Sequence, residues 1–164
     1  MKDNSKFPLS GRQNYYNIGN MNMKDVIISI VGTHQDPSGE TESVELVTDG
    51  QYEFGDGQVR FSYEESELTG LGKTRTTITV DPVSVILHRE GELNTEMIFQ
   101  QGKKHYALYR TPFGDATLGI DTSSIHSTLA EHGGGLEIDY SIGLDSFHAQ
   151  RSGFKIQVKE SNHV

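Results

Sequence analysis

Two arginines, Arg89 and Arg110, are the residues of this chain whose type and spacing best suit chemistry. Each closes a run in which large apolar side chains alternate with polar ones, S-V-I-L-H-R and K-H-Y-A-L-Y-R. A guanidinium at the end of an apolar strand face needs a partner, because an unpaired buried charge is costly. Its planar fork of donors matches a carboxylate or a phosphate. Other reactive groups fall short of a pattern. The seven histidines form no His-x-x-x-His or similar pair, and cysteine is absent, so no metal site and no cofactor is expected. Ser123-Ser124 with His126 lacks the G-x-S-x-G elbow of a serine nucleophile. Carboxylates such as Glu64, Glu65, Glu67, Asp115, Asp121 and Asp139 are plentiful, but plenty does not mark a catalytic pair. The run Gly133-Gly134-Gly135 follows no strand–loop–helix pattern and reads as a turn rather than a phosphate loop.

The elements that must position these groups are short β-rich runs from Lys24 onward, with no helix of three turns. The alternation predicts strands over 26–33, 41–54, 59–65, 74–80, 83–89, 94–100, 104–110, 116–129 and 136–144, and a tenth carrying Phe154, Ile156 and Val158. Asp56-Gly57 suits a type I′ turn, which sets Phe54 against Val59 and Tyr52 against Phe61. A tight connection through Asp81-Pro82 sets Val80 against Val83 and Thr74 against Arg89. Gly102-Lys103 suits a type II′ turn that sets Phe99 against Tyr106, Met97 against Leu108 and Thr95 against Arg110. Thr111-Pro112-Phe113-Gly114 is a corner. These tight links predict an up-and-down antiparallel meander of about 8–10 strands, closed into a barrel that leaves few exposed edges.

The same registers assemble a candidate site. Thr74, Arg89, Thr95 and Arg110 form one row on the inward face, above a wall of Leu87, Met97, Phe99, Tyr106 and Leu108, while His105 and Tyr109 point outward. Barrels of this size can hold one small ligand. The row therefore suggests a small amphipathic or anionic ligand, its head on the arginines and its tail on the wall. Any single hairpin that slips by one residue breaks the row.

At 164 residues the chain suits one domain. A net charge of −9 argues against nucleic acid as a partner. No apolar run approaches the length of a membrane span and no signal peptide is visible, so a cytoplasmic location is the expectation. Residues 1–22 are rich in Asn, Ser and Gly and read as an N-terminal arm ahead of a domain over 23–164. The arm carries Lys2, Lys6 and Arg12 against Asp3, opposite in sign to the acidic remainder.

The words T-R-T-T-I-T-V, S-V-I-L-H-R-E-G, Y-R-T-P-F-G-D-A-T-L-G-I-D-T, G-G-L-E-I-D-Y-S-I-G-L-D and F-K-I-Q-V-K-E resemble the YwiB-like family of uncharacterised bacterial proteins, over about residues 24–160. The resemblance implies a single calycin-type (lipocalin-like) β-barrel and supplies no catalytic or binding residue. Two functions remain open. One is a non-enzymatic binder of the small ligand described above. The other is a protein-interaction or dimerisation module, forming a homodimer, with a filled barrel and no ligand. An enzyme would need a His–carboxylate pair within a cleft.

Overall fold

The computed structural model describes residues 23–66, 71–144 and 149–161, so the expected arm over 1–22 lies outside the described residues. Ten strands form one antiparallel sheet: β1 (Lys24–Gln35), β2 (Thr41–Gly55), β3 (Gln58–Glu64), β4 (Thr74–Val80), β5 (Val85–Gly91), β6 (Thr95–Phe99), β7 (Lys104–Thr111), β8 (Gly114–Ser127), β9 (Gly133–Gly143) and β10 (Gln150–Glu160). Their spatial order is β6-β5-β4-β3-β2-β1-β10-β9-β8-β7. Every strand thus lies beside its neighbour in sequence except at one seam, and the first strand pairs with the last. The seam falls between β6 and β7, which are linked by one antiparallel bridge, Asn94 with Arg110. The result is the up-and-down, nearly closed barrel that the turn chemistry predicts. No helix among the described residues is long and apolar enough to cross a membrane.

Alternation along the strands builds the core. Three cross-strand rows point inward: Val59-Val80-Val85-Phe99, Phe61-Ile78-Leu87-Met97, and Tyr63-Thr76-Arg89-Thr95. The first two rows are buried throughout, and with Val26, Ile28, Leu136, Ile138, Ile156 and Val158 they form one continuous cluster. Burying a side chain of this size is worth about 1.5–3 kcal/mol relative to exposure, so the rows rather than the loops hold the barrel together.

Local chemistry sets each register. Asp56 and Gly57 have φ of 53° and 73°, both positive as a type I′ turn requires, and Tyr52 pairs with Phe61 as expected. The Asp81 loop departs from expectation. Its carboxylate accepts from the Val83 and Ser84 amides at 2.9 and 2.8 Å, an Asx turn that draws both residues into the loop. β5 therefore starts at Val85, Val80 pairs with Val85, and Thr76 rather than Thr74 stands opposite Arg89. The shift is two residues, so every side chain keeps its face. Val83 is the casualty, 68% exposed in the loop.

The turn after β6 has the larger effect. The Lys103 amide donates to the Gln100 carbonyl at 2.9 Å and Gly102 has φ of 78°. Gly102 is thus the second central residue of a type II turn, not the first of a type II′ turn. Moving the turn's centre by one residue turns β7 over. Ala107 and Tyr109 face in, and Tyr106, Leu108 and Arg110 face out. His105 is half-buried and bonded to the Gln100 side chain at 3.1 Å, not outward as the tight-turn register implies. The triple glycine is also no turn. Gly133 to Gly135 pair with Lys159, Val158 and Gln157 as the first residues of β9. A Cβ on Gly134 would run into the Thr128 carbonyl oxygen, and its φ is 137°. β8 is continuous through Asp121-Thr122, with a register shift opposite Asp139 and Tyr140 that bulges at Ser123 and keeps both Thr122 and Ile125 on the inner side.

Candidate functional site

Arg89 sits where the barrel interior changes from apolar to polar. It belongs to the inward row Tyr63-Thr76-Arg89-Thr95, one step beyond Leu87 and Met97. Its side chain is 19% exposed and lies beside Glu65, whose side chain is only 2% exposed, with Nε 3.7 Å from Oε2. Glu65 follows the last residue of β3 and is held by its amide, which donates to the Thr74 carbonyl at 2.8 Å. That bond extends the β3–β4 ladder one step and keeps Glu65 in phase with inward Phe61 and Tyr63. The carboxylate also accepts from the Thr76 hydroxyl and is bonded to the Tyr63 hydroxyl. Glu65 is thereby satisfied, whereas the buried Arg89 Nε has no hydrogen-bond partner.

The guanidinium lines a cavity of about 380 Å³ at one end of the barrel. Ile30, Ile78, Leu87, Phe154 and Ile156 give it an apolar floor and wall, Tyr63 and Tyr140 flank Arg89, and His34, Gln150 and Ser152 stand at the mouth. The size falls within the range of small-molecule sites, about 300–1,000 Å³. Phe99 stays outside but fixes the lining: its ring meets Tyr140 at 4.9 Å and Phe154 at 5.6 Å, both edge-on. Burial pushes the Tyr140 phenol up to about 12, with the Tyr109 phenol adding to the rise and Arg89 opposing it. The Tyr63 phenol is raised further, by burial first and by the Glu65 charge second. Both phenols therefore stay protonated at neutral pH, and that of Tyr63 donates to the Glu65 carboxylate beside Arg89.

Of the residues expected at the site, Leu87 and Arg89 line the cavity. Thr74, Thr95, Met97 and Phe99 are buried in the barrel without lining it. Thr74 bonds to the Leu71 carbonyl at 2.6 Å and Thr95 to the Leu108 carbonyl at 3.2 Å, so both hydroxyls serve the backbone. Tyr106, Leu108 and Arg110 are on the outer surface, the first two 70% and 43% exposed, because β7 is turned over. Arg110 therefore does not share a chamber with Arg89. The sequence reasoning missed Glu65, Tyr63 and Tyr140. The first two were legible as the continuation of Val59 and Phe61 at a spacing of two, and Tyr140 as the continuation of Leu136 and Ile138. At the mouth, His34 Nε2 is 3.5 Å from Glu42 Oε1, with both side chains largely in water.

A family model described as a domain of unknown function, DUF1934, matches residues 28–156. The uncharacterized beta-barrel protein YwiB of Bacillus subtilis (strain 168) is 33% identical over 104 residues, covering 63% of this chain and 72% of that protein. The crystal structure of the ywiB protein from Bacillus subtilis superimposes with a TM-score of 0.77 at 26% identity, over 86% of this chain and 94% of the other.

Proposed function

The chain belongs to the DUF1934 family, and on that premise we propose that it is a non-enzymatic binder of a small amphipathic ligand whose anionic head rests on Arg89. One observation carries the reading. The Arg89 side chain, 19% exposed, lines a cavity with apolar Ile30, Leu87, Phe154 and Ile156, next to a Glu65 carboxylate that Thr76 and Tyr63 already engage. The Nε faces Glu65 at 3.7 Å, and a carboxylate or phosphate in the cavity would be met by the terminal nitrogens of the guanidinium fork. The Tyr63 and Tyr140 hydroxyls stand within the same chamber, and Leu87, Phe154 and Ile156 receive the apolar part. The calycin-type kinship implied by the sequence words agrees with an interior site.

Native mass spectrometry of the protein purified from its own host tests this. The expected result is a bound small anion on the wild type that is lost from Arg89→Met and retained by Arg110→Ala. A wild-type protein carrying nothing, in every preparation, would count against the reading. The second reading, a module that pairs with a second copy, draws on Tyr106 and Leu108, which β7 places side by side on its outer surface. A dimer that Leu108→Glu separates would favour it.

A further inference from the structure

Glu65 is a buried carboxylate beside the cavity's cation, and it bears on how much negative charge the cavity can accept. Its side chain is 2% exposed and is held in place. Its amide donates to the Thr74 carbonyl at 2.8 Å, and its carboxylate accepts from the Thr76 and Tyr63 hydroxyls. Oε2 stands 3.7 Å from the Arg89 Nε. Both charges reach the lining. Burial raises the Tyr63 and Tyr140 phenols first, Glu65 then raises Tyr63 further, and Arg89 opposes the rise at both. Arg89 is the only arginine or lysine among the described residues that line the cavity. His34 at the mouth already faces Glu42 at 3.5 Å.

We infer that Glu65 makes the cavity selective for a singly charged head, a carboxylate rather than a phosphate dianion, with the Tyr140 hydroxyl as a second donor beside the Arg89 fork. This rests on the binding reading proposed above and adds to it the charge of the ligand. A head bonded to the terminal nitrogens of Arg89 stands across one guanidinium from the Glu65 carboxylate. Charges withdrawn from water are screened little. Every negative charge on the head is therefore repelled by Glu65 while it is attracted by Arg89. A first charge is met by the guanidinium fork and by a phenol donor. A second charge finds no further cation in the lining, and an unmatched charge in such a site is costly. A fixed repulsive group of this kind discriminates between ligands that the attractive groups alone would both accept. Tyr140 suits the part of second donor. Its ring lines the cavity and packs edge-on against Phe99 and Phe154, and its hydroxyl has no hydrogen bond to another described residue.

Calorimetric titration of the full chain at pH 8 with octanoate, octyl sulfate and octyl phosphate separates charge from head shape. The sulfate and phosphate heads are both tetrahedral, but the sulfate carries one charge. The phosphate carries close to two, its second pKa being about 6. Octanoate and octyl sulfate should each bind the wild type at least tenfold more tightly than octyl phosphate, a comparison that needs no variant. Glu65→Gln keeps an acceptor for the Thr76 and Tyr63 hydroxyls and should narrow the gap to below threefold, chiefly through tighter binding of octyl phosphate. Tyr140→Phe keeps the ring and should weaken octanoate at least threefold. Equal binding of octyl sulfate and octyl phosphate, or a gap that survives Glu65→Gln, would overturn the inference. If Arg89→Met still weakened binding in that case, the binding reading itself would stand. Octanoate binding indifferent to Tyr140→Phe would overturn the part given to its hydroxyl. No binding of any of the three, or binding indifferent to Arg89→Met, would overturn both the inference and the reading beneath it.

Discussion

Arg89 and Glu65 divide one job unequally. Glu65 is almost completely buried and bonded to Thr76 and Tyr63, whereas Arg89 keeps an edge toward the cavity. Removing the arginine alone strands the carboxylate without its counter-charge, and a broken buried pair is more costly than a pair removed together. Arg89→Met should lower stability by about 3 kcal/mol, and Arg89→Met/Glu65→Gln should recover most of that loss, as read from urea unfolding. The inward direction of Arg89 was legible in the sequence, because S-V-I-L-H-R places it in phase with Val85 and Leu87. Its partner was legible too, as the fourth member of Val59-Phe61-Tyr63-Glu65, although Glu65 stands beyond the strand's last residue. Arg110 was misplaced for a reason outside its own neighbourhood. At Gln100-Gln101-Gly102-Lys103 both a type II and a type II′ turn put a glycine where φ is positive, and the choice between them reverses β7. Arg110→Ala should therefore change stability by less than about 0.5 kcal/mol and leave any octanoate affinity of the Arg89 cavity unchanged.

At the level of strands, errors of two residues and of one have opposite consequences. The Asx turn at Asp81 moved β5 by two and exchanged Thr74 for Thr76 opposite Arg89, without disturbing the inward face. The turn at Gly102 moved β7 by one and removed Tyr106 and Leu108 from the wall. Apolar alternation could not arbitrate there, since Tyr106 and Leu108 are as plausible inside as Ala107 and Tyr109. The start of β9 shows a second limit of sequence reading. Three glycines signal backbone freedom, but here the freedom serves a close approach of strands, not a turn. Gly134→Ala should cost about 2 kcal/mol or more, because φ is 137° and the new Cβ meets the Thr128 carbonyl. Gly135→Ala, whose nearest contacts are ordinary at 3.4 Å and beyond, should cost below about 1 kcal/mol. Thermal unfolding of the two variants side by side measures the difference.

The molecule as a whole is a barrel whose two ends differ. One carries a cleft of about 400 Å³ lined by Phe54, Val59, Val80 and Leu129 with no arginine, and the other opens around Arg89 with phenols buried in its lining. Burial raises the Tyr52 and Tyr140 phenols to about 12 from an ordinary 10.0, and Tyr63 further. These groups keep their protons in the folded chain after the unfolded chain has lost them. Stability should therefore hold up to about pH 10 and fall steadily as the pH rises toward 12, which urea midpoints across that range can follow. The nearly closed meander, its strand order and its core outside β7 were readable from turns and periodicity, because each tight link leaves a strand no other neighbour. The cavity was not, since a void depends on which long side chains fail to fill an end. The central claim is that this void is a site governed by Arg89. The direct test is an NMR titration of the full chain with octanoate and with octyl phosphate. The account predicts saturable shifts at Leu87, Tyr63, Tyr140 and Phe154, weakened at least tenfold by Arg89→Met and unchanged by Arg110→Ala. Shifts confined to the outer face, or an affinity that does not depend on Arg89, would contradict it.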